Sequence, residues 1–223
     1  MQLSPRTIVV LKNFSNINPG LVIKPGSIIR TAAEAMDLLA VATIEEKFEK
    51  QFAIANLSQF LGVLSTFETP TLKFKDKSLF ITEGLREYQY VYGEPAFIKS
   101  PPDKEIVLPK TVASFQLSKK VLNDMTRISA ISQFPEVAIV GDVDGLYFRG
   151  LDCKNSTNNV YNQKLGNDTP GLNFMAVFGA DKLNVLLSED YQVTVTKGIV
   201  QFKSIDVSYW IAPIEKYSSY GVK

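Results

Sequence analysis

Acidic residues gather at Asp142, Asp144 and Asp152, and the lone cysteine, Cys153, follows directly. Asp142-Val143-Asp144-Gly145 has the start of a calcium loop, in which carboxylates at alternate places would ligate the ion. The twelfth place of such a loop needs a bidentate glutamate but is Cys153 here, so the segment reads as a hairpin turn. A carboxylate pair such as Asp142 and Asp152 could also supply acid and base to a hydrolase, yet no other residue supports that chemistry. The chain has no histidine and one cysteine, which removes a zinc site, a Ser-His-Asp triad, a Cys-His pair and an intrachain disulfide. It has no glycine-rich phosphate loop. No cofactor is implied.

The remaining candidates are cations on helices. Lys and Arg number 24 against 23 Asp and Glu, a net charge of +1, which speaks against a free-standing, high-affinity nucleic-acid binder. Residues 1–95 hold ten charges of each sign and residues 111–223 eleven, so any sorting must lie within each half. Turning each helical pattern by about 100° per residue reveals such sorting. In the first, Val10, Leu11, Phe14 and Ile17 form an apolar stripe, Lys12, Ser15 and Asn16 face away, and Arg6 and Asn13 lie at the border. In the third, Val121, Leu122, Met125 and Ile128 gather opposite Lys119, Lys120, Asn123, Thr126 and Arg127, with Asp124 the one acid nearby. Lys182, on a short helix further on, joins the set. Such faces suit loose contact with phosphates rather than base reading, and they equally read as ordinary solvated helix surfaces.

The elements that carry these groups follow from turn and cap signals. Ser4 then Pro5 starts a helix running to about Ile17, and Asn56 caps a second, Leu57–Phe67. Strand-like runs fall at Leu21–Lys24, Ser27–Thr31, Leu38–Ile44, Gln51–Ala55, Thr71–Phe74, Ser78–Thr82 and Glu87–Tyr92. Four prolines between Gly93 and Pro109 mark a linker, placed at residues 95–110 between domains 1–94 and 111–223. The second half repeats the order. A strand at Val112–Leu117, the Ser118-capped helix and strands at Glu136–Val140, Leu146–Leu151, Val160–Leu165 and Asn173–Phe178 precede a short helix, Asp181–Leu187. Strands at Tyr191–Thr196, Ile199–Ser204 and Val207–Ala212 close the domain, and Tyr217–Gly221 reads as a frayed tail. The fold class is α+β, with two similar domains, each an antiparallel sheet with two helices on one face.

A repeat supports the two halves. Leu3-Ser4-Pro5-Arg6 matches Leu117-Ser118-Lys119-Lys120, and the same offset pairs Ile8 with Leu122, Leu11 with Met125, Phe14 with Ile128 and Ile17 with Ile131. No apolar run reaches the roughly 20 residues of a membrane span, and the N-terminus lacks a signal-peptide profile, so the expected location is cytosolic. Asn-x-Ser/Thr triplets at Asn13, Asn56, Asn155 and Asn167 carry no weight without a secretion signal.

Leu11-Lys12-Asn13-Phe14, Ile17-Asn18, Gly20, Lys24, Gly26 and Thr31, then Leu57, Phe60-Leu61-Gly62 and Leu64-Ser65, resemble the sliding clamps of T4-type bacteriophages. The resemblance covers roughly the first 65 residues and then thins to Val112-Ala113, the third helix and Ala138-Ile139. It implies a homotrimeric DNA clamp, a ring with helices toward duplex DNA and sheets outside. It also implies an ATP-dependent clamp loader, tethering of the replicative DNA polymerase, a role in late transcription, and action in the cytoplasm of an infected bacterial host. Tyr209-Trp210-Ile211-Ala212-Pro213-Ile214 resembles the closing segment of eukaryotic and archaeal clamps, where it borders a partner-peptide pocket. With Phe97 and Ile98 of the linker it could form an apolar groove; it equally reads as a last strand stopped by proline. The rival to a clamp is a structural or assembly protein whose helices pack on a partner. Glu87–Tyr92 and Val160–Leu165 are the candidate strands for contact between subunits.

Overall fold

The computed structural model describes residues 1–166 and 173–221, so Asn167 lies outside the described residues. The chain divides into two compact units, Met1–Asp103 and Lys104–Lys223. No helix among the described residues is long and apolar enough to cross a membrane.

Unit one opens with α1 (Pro5–Phe14), followed by strands β1 (Leu21–Ile23), β2 (Gly26–Ala32), β3 (Leu38–Phe48) and β4 (Phe52–Ile54). Helix α2 (Leu57–Leu64) and strands β5 (Thr71–Phe74), β6 (Ser78–Glu83) and β7 (Arg86–Val91) complete it. Pairing is antiparallel throughout: β1 with β4, β2 with β3, and β5-β6-β7 as a meander. The Ser4 side chain accepts from Thr7 N at 3.1 Å, and Asn56 does the same for Gln59 N at 2.9 Å, so both helices start where a short polar side chain can satisfy a bare amide. Both end earlier than their apolar spacing predicts. Beyond Phe14 the chain tightens into turns, with Ile17 N donating to Phe14 O at 2.9 Å, and beyond Leu64 Thr66 N donates to Val63 O at 3.0 Å. Strand β3 is longer than predicted. Its strict in-out alternation carries Ile44, Glu46 and Phe48 inward past the stretch where charges dominate.

Glu46 holds α1 in place. Its carboxylate, 9% exposed, accepts from the backbone N–H of Ser4 and from the Thr7 hydroxyl, at the helix end where bare amides carry partial positive charge. The helix buries Val10, Leu11 and Phe14 beneath it, and packs against α2 and β3.

Unit two has the same order. Strand β8 (Thr111–Leu117) leads into α3 (Lys119–Ser132), then β9 (Glu136–Asp142), β10 (Gly145–Leu151), β11 (Tyr161–Gly166) and β12 (Phe174–Gly179). A 3₁₀ helix, Ala180–Val185, precedes β13 (Tyr191–Thr196), β14 (Val200–Lys203) and β15 (Val207–Ile211). After a second 3₁₀ turn, Glu215–Tyr217, comes the short strand β16 (Ser219–Tyr220). One sheet runs β11-β10-β9-β12-β16; β8, β13, β14 and β15 pair in a second. Asp142–Gly145 is the hairpin turn between β9 and β10: Asp144 N donates to Asp142 Oδ1 at 2.9 Å and Gly145 takes φ 133°, closed to other residues.

Two expectations need correction. The predicted helix Asp181–Leu187 is the 3₁₀ helix Ala180–Val185, too short for an α-helical ladder to outcompete tighter turns. The tail is not frayed, because β16 adds to β12, Gly221 N donates to Asn173 O at 2.7 Å, and Ser218 Oγ accepts from Val177 N at 3.0 Å.

The repeat survives in three dimensions as pairing. In unit one β1–β4, β2–β3 and β5-β6-β7 match β9–β12, β10–β11 and β13-β14-β15 in unit two. Leu72 N reaches Met1 O at 2.7 Å as β13 reaches β8, so the segment before α1, though not a strand, stands where β8 stands before α3. In α3, Ser118 Oγ accepts from Val121 N at 3.3 Å, and Asp190 Oδ1 accepts from Lys119 N at 2.6 Å, the role Glu46 plays for α1. Leu122 and Met125 are buried as Leu11 is, whereas Ile131, the partner of Ile17, is 71% exposed near the helix end.

Replacing Glu46 with alanine should cost about 2–3 kcal/mol, because it leaves the Ser4 amide and Thr7 hydroxyl without their acceptor in a buried place. Urea unfolding measures it; a midpoint within error of the parent would show that the carboxylate does not secure α1.

Candidate nucleic-acid interface

The solvent face of α1 carries Lys12 and, in the turn beyond, Asn16; both are exposed. Lys12 lies in the last turn, where its charge also favours the negative end of the helix dipole. Arg6 is half-buried in the first turn and engaged within the chain. Asn13, expected at the border and toward DNA, is 7% exposed and belongs to the buried side. The enclosed arc of α1 takes in Thr7, Val10, Leu11, Asn13 and Phe14, wider than the apolar stripe alone. The outward side of α2 is Ser58, Gln59, Gly62, Ser65 and Thr66, all exposed and uncharged.

On α3 Lys119, Lys120, Asn123 and Arg127 are exposed. They differ in availability. Lys120 Nζ is 2.6 Å from Asp124 Oδ2, one helical turn on, and that hydrogen bond pushes the lysine's pKa up. Asn123 Oδ1 accepts from Ser188 Oγ at 2.8 Å. Lys119 and Arg127, like Lys12, make no ion pair among the described residues, so their charge is available to a ligand. Lys182 is less so: its side chain is 20% exposed, with Nζ 3.5 Å from Asp181 Oδ2. Val121 and Ile128, placed on the apolar side by spacing, are half-buried. Taken each by itself, α1 and α3 present spaced cations among neutral polar groups, which attract phosphates without a shape that reads bases.

The predicted partner-pocket residues fall in both units. In unit one Phe97 ends the 3₁₀ turn Pro95–Phe97 and is 89% exposed, while Ile98 packs on Gly20 so closely that a Cβ there would lie 2.9 Å from it. The strand-free segment that follows is strapped to the same unit. Asn18 Nδ2 donates to Lys99 O at 3.2 Å, and Lys24 Nζ lies 2.6 Å from Asp103 Oδ2, a hydrogen bond that holds the Asp103 carboxyl below its usual range. In unit two Trp210 is half-buried on β15, with Ala212 exposed and Pro213 and Ile214 half-buried after it. Ile214 N donates to Val177 O at 2.6 Å, which turns the chain back toward β12.

Sequence reasoning missed two features. It did not single out Glu46, although the alternation along β3 puts position 46 in register with Leu38, Ala40, Ala42, Ile44 and Phe48. It also passed over the rings of Phe48, Phe52, Phe74 and Tyr92, which meet although their numbers span three hairpins.

This arrangement recurs in solved structures. The PCNA of A. fulgidus, bound to the C-terminal region of FEN-1, superposes with a TM-score of 0.68 at 16% identity, over 96% of each chain. The DNA polymerase III beta chain of Streptococcus pneumoniae gives a TM-score of 0.70 at 14% identity, over 94% of this chain and 63% of that one. The fold is that of the DNA clamps. Residues 4–93 match the family described as DNA polymerase processivity factor. The sliding clamp of Vibrio phage KVP40 is 28% identical over 95% of this chain and 98% of its own length, and that of Escherichia phage RB69 is 26% identical over 95% and 96%. Together these matches support a T4-type bacteriophage sliding clamp, a processivity factor of DNA polymerase.

Because Asn13 is buried and Lys12 is not, Asn13→Ala should lower stability by about 1–2 kcal/mol and leave DNA retention unchanged. Lys12→Ala should do the opposite. Paired unfolding and retention measurements check this, and equal effects of both on retention would place Asn13 at the DNA surface after all.

Proposed function

We propose that three copies of this chain close into a ring around duplex DNA and tether the replicative DNA polymerase during synthesis. The reading treats 1–94 and 111–223 as two clamp domains joined by residues 95–110. An ATP-dependent loader opens the ring, late transcription also uses it, and it works in the cytoplasm of the infected bacterial host. The ring performs no chemical step of its own.

One observation carries the reading: Lys12, Lys119 and Arg127 stand exposed and, among the described residues, without ion pairs, on helices from both halves of a chain with net charge +1. A protein held on DNA by topology needs only weak phosphate contacts, and strong ones would slow its sliding. Edge strands supply the contact between subunits. Strand β7 ends the β5-β6-β7 sheet and β11 ends the five-stranded sheet, and each would leave unpaired backbone groups that a neighbour could cover. Val91 on β7 is 67% exposed and Val160, beside β11, is 54% exposed, which suits an interface. A head-to-tail contact of this kind that closes after three copies leaves no open edge.

With polymerase, loader and ATP on primed DNA, the protein should lengthen products many-fold over polymerase alone; unchanged product length would defeat the reading. Replacing Lys12, Lys119 and Arg127 together with alanine should reduce retention on DNA and flatten its log–log salt dependence by up to about 0.9 per lost phosphate contact. A slope equal to that of the parent would mean that this face does not meet DNA. In solution the parent should have three times the 24.8 kDa protomer mass at micromolar concentration, and Val91→Asp should return it to the protomer mass. A trimer that survives this substitution would move the interface away from β7.

A further inference from the structure

A cleft of about 340 Å³ opens in unit one where three hairpin ends converge: the β3–β4 turn, the β5–β6 turn and the end of β7. Its floor is aromatic. Phe48 and Phe52 are almost fully buried, and Phe74 and Tyr92 are half-buried with faces left open to the cleft. Phe48 meets Phe52 and Phe74 edge-on, with centroids 5.4 and 5.8 Å apart, and Tyr92 tilts on Phe52 at 5.3 Å. The Tyr92 hydroxyl is fixed by donation to Lys75 O at 3.2 Å.

The rim is charged. Lys50 pairs with Asp76 at 3.0 Å, which leaves Lys47, Lys75 and Glu49 without ion pairs among the described residues and the mouth with a positive excess. None of these residues belongs to the helices that face DNA or to the Phe97–Ile98 and Trp210–Ile214 segments.

We propose that this cleft is a second docking site on the clamp, for an acidic peptide segment of a partner protein that inserts one apolar or aromatic side chain. The volume fits one or two side chains, within the low range of ligand pockets. The unpaired lysines flank the opening, where carboxylates on either side of the anchor would meet them. Four rings at crossing angles of 34–81° offer no parallel faces to sandwich a flat nucleobase, whereas an alkyl or phenyl group packs against tilted rings without needing one. An aromatic floor inside a polar rim is also how energetically dominant contacts are built at protein interfaces.

The test uses the full-length protein and a fluorescein-labelled peptide of about twelve residues, with Leu-Phe at its centre and Asp or Glu elsewhere, read by fluorescence anisotropy without DNA or polymerase. Saturable binding is expected, weakened about ten-fold or more by K47E/K75E, by Leu-Phe→Ser-Ser in the peptide, and by 0.5 M salt. Because both lysines are exposed, the variant should unfold at the parent's temperature. Trp210→Ala should leave the affinity unchanged. The proposal is overturned by no saturation at millimolar peptide, by equal binding of a lysine-for-acid peptide, by loss in Trp210→Ala with retention in K47E/K75E, or by adenosine monophosphate competing for the cleft. None of these outcomes bears on encirclement of DNA, which is measured separately.

Discussion

A carboxylate from elsewhere in the same unit closes the N-terminus of each cation-bearing helix, and the presentation of the cations depends on it. Glu46 does so for α1 and Asp190 for α3, each accepting from the first bare amides of its helix. A helix N-terminus is otherwise an anion site in its own right. With a protein carboxylate already there, a phosphate drawn to such a helix in the proposed ring would meet side chains on its flank, where contacts are spaced, weak and easily exchanged. The same carboxylates fix where each helix lies on its sheet, with Leu11 and Phe14, or Leu122 and Met125, pressed inward and Lys12, Lys119 and Arg127 outward. Helix placement and charge display are therefore one arrangement.

Near-neutral charge becomes intelligible in that light. A protein that finds and holds DNA by attraction alone needs a large basic excess, while one that is mechanically linked needs attraction only to centre the duplex. Balanced charge within each half, with acids at hairpin turns such as Asp142–Asp144 and at helix ends, leaves a mild basic bias on the helices. Lys120 shows the restraint clearly: its charge is offset by Asp124 one turn away.

Much of the plan was legible in the sequence because it rests on local signals. Ser4, Asn56 and Ser118 cap the helices they predict, Gly145 closes the turn its neighbours suggest, and strand after strand lies within a residue or two of its apolar run. What escaped depends on distant partners. Asn13 is buried because the enclosed side of α1 is wider than its apolar stripe, Lys182 is enclosed beside Asp181, and Ser219–Tyr220 is a strand only because β12 offers an edge. The aromatic cleft is of the same kind, since no spacing along the chain links Phe48 to Phe74 or Tyr92. The exposure of Lys119, Lys120, Asn123 and Arg127 was readable from the spacing of one helix alone, because it depends only on which side of α3 the apolar residues take.

Topological linkage is tested most directly by loading the protein onto nicked circular DNA, removing free protein by gel filtration, and cutting the circle once with a restriction enzyme. Co-elution with the circle followed by release from the linear product is the outcome an encircling ring predicts. Equal retention on circular and cut DNA would mean that the protein holds the duplex by surface attraction, and would contradict the account built on sparse, exposed lysines and arginine.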